Sequence, residues 1–202
     1  MNWAWLTCYQ PRPPIGDRGS IDRTTWGHVR PTDYPRSVSV SLKYAVVERE
    51  RRYVLASIPT GVTSTKEIVD RYVTGTRLRL REVRQGDSAV VRKLGHKARL
   101  GKGPEEIACT NFYLNDEEWA VLAALPARKL RKRRHMVARD GWLVAIDEHE
   151  DGTLVAEIDD ADKPSDALPG WLDVVSDVSN DESWTGAGLA RKRSTHIGRS
   201  GI

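Results

Sequence analysis

Charge that recurs at every second residue, in one strand-length run after another, is the feature of this 202-residue chain that most narrows its fold. In "TRLRLREV", Arg77, Arg79 and Arg81 alternate with Leu78 and Leu80. A strand sends successive side chains to opposite faces, so the arginines share one face and the leucines the other. "VERERRYVL" likewise sets Glu48, Glu50 and Arg52 together, and "LRKRRH" sets Lys132 with Arg134. "VAIDEH" supplies Asp147, and "TLVAEIDD" sets Glu157 and Asp159 opposite Leu154, Ala156 and Ile158. For any one strand, a solvated charged face explains the pattern. Repeated along the chain, it describes a sheet with one ionic face, and if the sheet curls that face lines a cavity.

Buried charges of both signs cost several kcal/mol each unless paired. A divalent cation would satisfy the carboxylates, as Mg²⁺ does with oxygen ligands. A polyphosphate would satisfy the guanidinium and ammonium groups, since guanidinium forks match phosphate oxygens.

The remaining segments frame these strands. Residues 1–40 are rich in proline and turn residues and are not periodic, which predicts a disordered extension. Residues 41–190 form the predicted domain, and 191–202 a basic tail. "TSTKEIVDRYV" carries Ser64 and Glu67 at capping-box spacing, which predicts a short helix or turn. "AVVRKLGHK" and "EIACTNFYL" read as strands. "NDEEWAVLAAL" reads as a helix with Asn115 as N-cap and Trp119, Leu122 and Ala123 as its apolar stripe. Asp140-Gly141 and Asp151-Gly152 mark hairpin turns, and a helical region is predicted over 181–191.

Bulk properties exclude some classes. The chain is 39% hydrophobic and 30% charged, with 32 Lys and Arg against 28 Asp and Glu, a net charge of +4. That balance allows a polyanionic ligand without demanding one. Cys8 and Cys109 form no CxxC pair, which points to a reducing, cytoplasmic setting. No apolar run reaches the ~18 residues of a membrane span, and no secretory leader pattern opens the sequence.

Taken in order, the charged strands resemble the CYTH superfamily, also called triphosphate tunnel metalloenzymes. "VERERRYVL" is similar to the ExExK opening of that family. "LRLRE", a lysine-bearing strand, the KxR pair of "RKRRH", an aspartate strand and the acidic "AEID" follow, and "DVVSDVSNDESWTGAGLA" resembles the closing segment. The likeness runs from about Tyr44 to Ala190. It implies an α+β fold: an eight-stranded antiparallel β-barrel with helices packed outside, binding a triphosphate with Mg²⁺ or Mn²⁺. By position, Glu48, Glu50, Asp147, Glu157 and Asp159 match the metal-holding carboxylates. Arg52, Arg79, Arg81, Lys132 and Arg134 match the phosphate clamp. Glu48, Glu50, Arg52 and Lys97 match the catalytic group. Lys97 fits the lysine of the third signature strand and Lys93, on the same face, is its rival; Arg77 shares a face with the clamp one step outside the motif.

Three positions depart from the pattern. Arg52 stands where the family has lysine. Asn111 and Tyr113 stand where the family has two glutamates, which bears on a second metal. Asp147 sits in the more polar "DEHED".

The resemblance implies metal-dependent hydrolysis of a triphosphate, inorganic tripolyphosphate above all. Alternatives are thiamine or nucleoside triphosphate hydrolysis, cyclisation of ATP as in class IV adenylate cyclases, and a non-catalytic polyphosphate or nucleotide sensor. The basic run 128–134 with the tail offers a nucleic-acid patch as a weaker reading, although alternation within a strand favours the clamp. The implied state is a monomer or homodimer with a small polyanionic partner and no membrane.

Overall fold

Nine strands and three helical segments make up the structure, a computed structural model that describes residues 43–101, 103–160 and 165–197, the side chains of 193–197 excepted. The expectations for residues 1–40 and for the last five residues lie outside the described part. In chain order the strands are β1 (Val46–Leu55), β2 (Val62–Val73), β3 (Leu78–Arg84), β4 (Val91–Arg99), β5 (Glu106–Tyr113), β6 (Ala127–Arg139), β7 (Trp142–His149), β8 (Leu154–Asp159) and β9 (Val174–Asp177). Helix α1 spans Asp116–Ala123, a 3₁₀ turn spans Glu182–Trp184, and α2 spans Gly186–Ile197.

All pairings are antiparallel, and they run β5-β4-β3-β2-β6-β7-β8-β1. Pairing of Val46–Arg49 with Glu106–Cys109 joins β1 to β5 and closes an eight-stranded barrel. Strand β9 adds to the remaining length of β1. The fold class is therefore the one the sequence predicts.

Segment 63–73, which the capping-box spacing assigns to a helix or turn, lies instead in strand β2. Its β-branched residues Val62, Thr63, Thr65, Ile68, Val69 and Val73 suit a pleated surface. Pairing with β3 on one edge and along β6 on the other then outweighs a local cap signal. Other local signals hold. Asn115 caps α1 with the full capping box to Glu118. Asp140 and Gly141 both take positive φ, 50° and 78°, as a two-residue hairpin turn requires.

The apolar core lies outside the barrel wall. Tyr53, Leu55, Val137, Val144, Ile146, Ala156 and Ile158 point away from the bore and pack with Leu172, flanked by Trp171 and Val174. The cover is thus the irregular segment before β9 and not a helix; α1 buries none of its residues. Helix α2 does something different. Leu189 and Ala190 pack on Leu130 and Tyr72, which face the bore, so α2 closes one end of the tunnel. Gly186 permits this approach, because a methyl group there would collide with the Tyr72 hydroxyl. The helix continues to Ile197, into the region read from sequence as a tail.

Candidate functional site: a charged bore

Residues directly opposed in an antiparallel pair share a face, and this carries the ionic face of the sheet around the whole barrel. Glu50 opposes Asp159, and Arg52 opposes Glu157. Arg134 opposes Asp147, Arg81 opposes both Asp70 and Lys93, and Lys97 opposes Cys109. With the alternation in each strand, Glu48, Glu50, Arg52, Arg79, Arg81, Lys93, Lys97, Lys132, Arg134, Asp147, Glu157 and Asp159 all occupy bore-facing positions. Arg77 does not join them: it precedes β3, is exposed, and lies beside His96 on the outer face, whose pKa burial and the Arg77 charge both lower.

Within the bore the charges form linked clusters. Asp147, with 2% of its side chain exposed, accepts from Lys132 and from Arg134, the latter through two bonds of 2.7 and 2.8 Å. Arg134 also bonds Glu157. Lys97 reaches Glu48 at 2.8 Å and Glu50 at 3.6 Å, while Arg52 bonds Glu50. Asp159 stands nearer an open end, its Oδ1 3.4 Å from the backbone N–H of Arg49. Lys93 points inward as well but stands over the ring of Tyr113, 4.8 Å from its centroid. Of the two rival lysines, Lys97 is the one that joins the acids.

The sequence does not single out Asp70, yet it is fully buried and grips Arg81 through two bonds of 2.6 and 2.7 Å. Arg79 Nε lies 3.7 Å from the same carboxylate. Its signal was within reach: Asp70 lies two residues before Tyr72 and faces the LRLRE arginines once β2 is a strand. On β5, Cys109, Asn111 and Tyr113 face inward. The strand therefore brings no carboxylate to the bore at the positions where the family pattern has two.

Electrostatics follow burial first and partners second. Burial raises the Glu50 pKa, but Lys97, Arg52 and Arg134 outweigh it even against the nearby Glu157, and the group ends below its ordinary value. Glu157 ends well below for the same reasons, with Arg134 and Lys132 foremost among its partners. Asp70 and Asp147 are also depressed, burial being overcome by Arg81 and by Arg134 respectively. Lys132 goes down, since burial and the Arg134 charge outweigh Asp147. Cys109 goes up, chiefly through burial, which keeps it a thiol.

Two guanidinium donors in the bore, Arg52 Nη1 and Arg79 Nε, are buried and make no hydrogen bond. A buried donor left unmade costs about 1–3 kcal/mol, and a phosphate oxygen would relieve both. The acids present donors that suit a hard cation. Among the described residues no three His, Cys, Asp or Glu side chains converge on one point. Mg²⁺ asks for less than that, since it is commonly held by one or two carboxylates plus substrate phosphates. Glu50 and Glu157, adjacent across β1 and β8 and mutually repelling, fit that requirement, with Glu48 beyond them. Asp147 is held by Lys132 and Arg134.

No family model and no curated protein matches the chain. Among solved structures, it is similar to the inorganic triphosphatase NE1496 at 20% identity and a TM-score of 0.46, over 71% of this chain and 93% of that one. A conserved hypothetical protein, Pfu-838710-001 from Pyrococcus furiosus, is similar at 15% identity and a TM-score of 0.42, over 74% and 87%. The PH1012 protein from Pyrococcus horikoshii OT3 follows at 17% and 0.41, over 55% and 77%. Among the described residues no helix is long and apolar enough to cross a membrane. Ordered acidic and basic pairs are thus turned inward around a closed, eight-stranded antiparallel wall.

Proposed function

We propose that the bore binds a linear triphosphate and hydrolyses its terminal anhydride. The observation that carries this is the pair of buried, acceptor-less guanidinium donors, Arg52 Nη1 and Arg79 Nε, in a channel lined by five further cations: Arg81, Lys93, Lys97, Lys132 and Arg134. Arginine forks on β3 and β6, fixed by Asp70 and Asp147, present donors in set directions along the channel. A phosphoryl group passing through a dispersed, highly charged transition state is stabilised by such preset charges more than by any covalent partner.

Glu50 and Glu157, with Glu48, would hold a divalent cation. Bound there, it would neutralise charge on the phosphoryl oxygens. Lys97, between Glu48 and Glu50, bridges these two acids before substrate enters. Arg52 links Glu50 to the phosphate-binding side of the bore. Burial of the whole set keeps its fields strong.

The test is phosphate release from tripolyphosphate, ATP and thiamine triphosphate with Mg²⁺ or Mn²⁺, in wild type and Glu50→Gln. Release should fall about a hundredfold in the variant. Release unchanged by Glu50→Gln overturns the assignment of the acids. A second reading, a non-catalytic sensor, is favoured by the absence of carboxylates on the inner face of β5, and predicts tight triphosphate binding with no release.

A further inference from the structure

On strand β2 the inward face falls at even-numbered positions. Ser64, Lys66, Ile68 and Asp70 are each less exposed than the residue on either side. Register agrees: Lys66 opposes Arg134 across β6, as Ile68 opposes Lys132. Opposed residues share a face, so Lys66 lines the bore. It lies six positions before Tyr72, which stands at the end that α2 closes. That spacing carries Lys66 about 20 Å along the strand toward the other end.

The setting of Lys66 differs from that of the other inward cations. Arg52, Lys97, Lys132 and Arg134 each pair with an acid of the bore, Arg79 and Arg81 share Asp70, and Lys93 stands over Tyr113. Among the described residues Lys66 has no ion pair, and the side chain directly opposite is a second cation. Like charges opposed in an antiparallel pair are destabilising. The next acid in that row, Asp147, opposes Arg134 from the far side and already accepts three bonds from Arg134 and Lys132. On the other edge of β2, pairing with β3 stops at Glu67 and Arg84, so no β3 residue is paired with Lys66. A half-buried lysine thus faces the channel beside an arginine, with no carboxylate of the described chain to balance it.

Resting on the triphosphate reading above, we propose that Lys66 is a further phosphate-binding residue, which takes one phosphoryl group of the ligand between itself and Arg134. The anion would turn the repulsion between these two cations into two attractions. Lysine suits the position for a physical reason. The arginine forks are aimed by Asp70 and Asp147, whereas an ammonium on a flexible four-carbon stem is a point charge that needs no partner to aim it. Lys66 therefore adds to the affinity for the ligand without adding to the stability of the ligand-free fold.

Calorimetric titration of the full chain with tripolyphosphate in Mg²⁺ tests this, alongside urea midpoints of the ligand-free proteins. Lys66→Met should weaken binding about tenfold, the loss expected for a hydrogen bond between charged groups. Lys66→Arg should keep most of the affinity. Lys129→Met removes the same charge from the exposed outer face of β6 and should leave binding as in wild type. The ligand-free midpoint of Lys66→Met should not fall below that of wild type, because the variant loses a like-charge contact and no partner. Binding that Lys66→Met leaves unmoved, a loss that Lys129→Met matches, or a loss that comes with a lower ligand-free midpoint overturns the assignment of Lys66 and leaves the triphosphate reading standing. If wild type binds no tripolyphosphate, both fall together.

Discussion

Two aspartates on strands that flank β6 do the same mechanical task with different partners. Asp70 on β2 holds Arg79 and Arg81 of β3; Asp147 on β7 holds Lys132 and Arg134 of β6. Each is fully or almost fully buried beneath two cations spaced two residues apart. The first cluster is of fixed charge. Burial lowers the Arg81 pKa, but Asp70 outweighs it and the guanidinium ends above its ordinary value. The second contains a lysine that burial and Arg134 drive down. The first cluster is thus a permanent clamp. The second holds a proton less firmly, and its Arg134 also bonds Glu157 and feels the charge of Glu50. The difference teaches that position along the strand sets where charge sits, while the choice between arginine and lysine sets how permanent it is.

The largest effect expected on this comparison comes from removing each aspartate in turn. Asp70→Asn and Asp147→Asn each leave two buried cations short of a counterion, a change that typically costs about 3–5 kcal/mol. Denaturant midpoints at neutral pH should show losses of this size for both. Affinity for tripolyphosphate should fall with them, because the arginine forks lose the partner that aims them. Equal losses establish the two as structural twins. A stable Asp147→Asn protein that has lost only its metal response would instead make Asp147 a metal ligand, and break the symmetry.

Acid sharpens the same comparison on the fixed-charge side. The folded-state pKa of Asp70 lies below its ordinary 3.8, so its stabilising contribution is complete above that value. It is lost as pH falls toward the folded value, because the unfolded chain takes up the proton first. The stability gap between wild type and Asp70→Asn should therefore be constant above pH 3.8. Below it, the gap should close by about 1.4 kcal/mol per pH unit. Urea denaturation of both proteins across that range measures it. A gap that widens on acidification would mean that Asp70 is not held as a carboxylate.

The sequence showed one of these twins and hid the other for a physical reason. Lys132, Arg134, Asp147, Glu48, Glu50 and Glu157 stand out because charge alternates with apolar residues on strands whose outer face is the core, so period two is written plainly. Strand β2 is different. Its inner face reads Lys66, Ile68, Asp70, Tyr72, a single buried acid among mixed neighbours, and its start carries a cap-like Ser64 and Glu67. Only pairing with β3 and β6 makes it a strand and turns Asp70 inward. The same dependence on partners explains the cover of the outer core. Trp171 and Leu172 belong to no regular element, and nothing local marks them as the residues that seal Tyr53 and Ile146. The mouth of the bore was legible only as a deficit, at Asn111 and Tyr113.

The smallest expected effect marks where the bore's logic stops. Arg131 on the outside of β6 and Glu150 in the turn after β7 form an ion pair at 3.8 Å, one residue from Lys132, with each side chain 60% exposed. Water solvates both partners whether or not they meet, so the pair forgoes little when separated and gains little when made. Arg131→Ala should shift stability by less than about 0.5 kcal/mol. It should leave the salt dependence of tripolyphosphate binding as it is in wild type, since Arg131 points away from the channel. A tenfold loss of affinity in this variant would mean that the phosphate chain is held on the outer surface of β6, on the basic run 128–134. The inward face of that strand would then be only the interior of the fold.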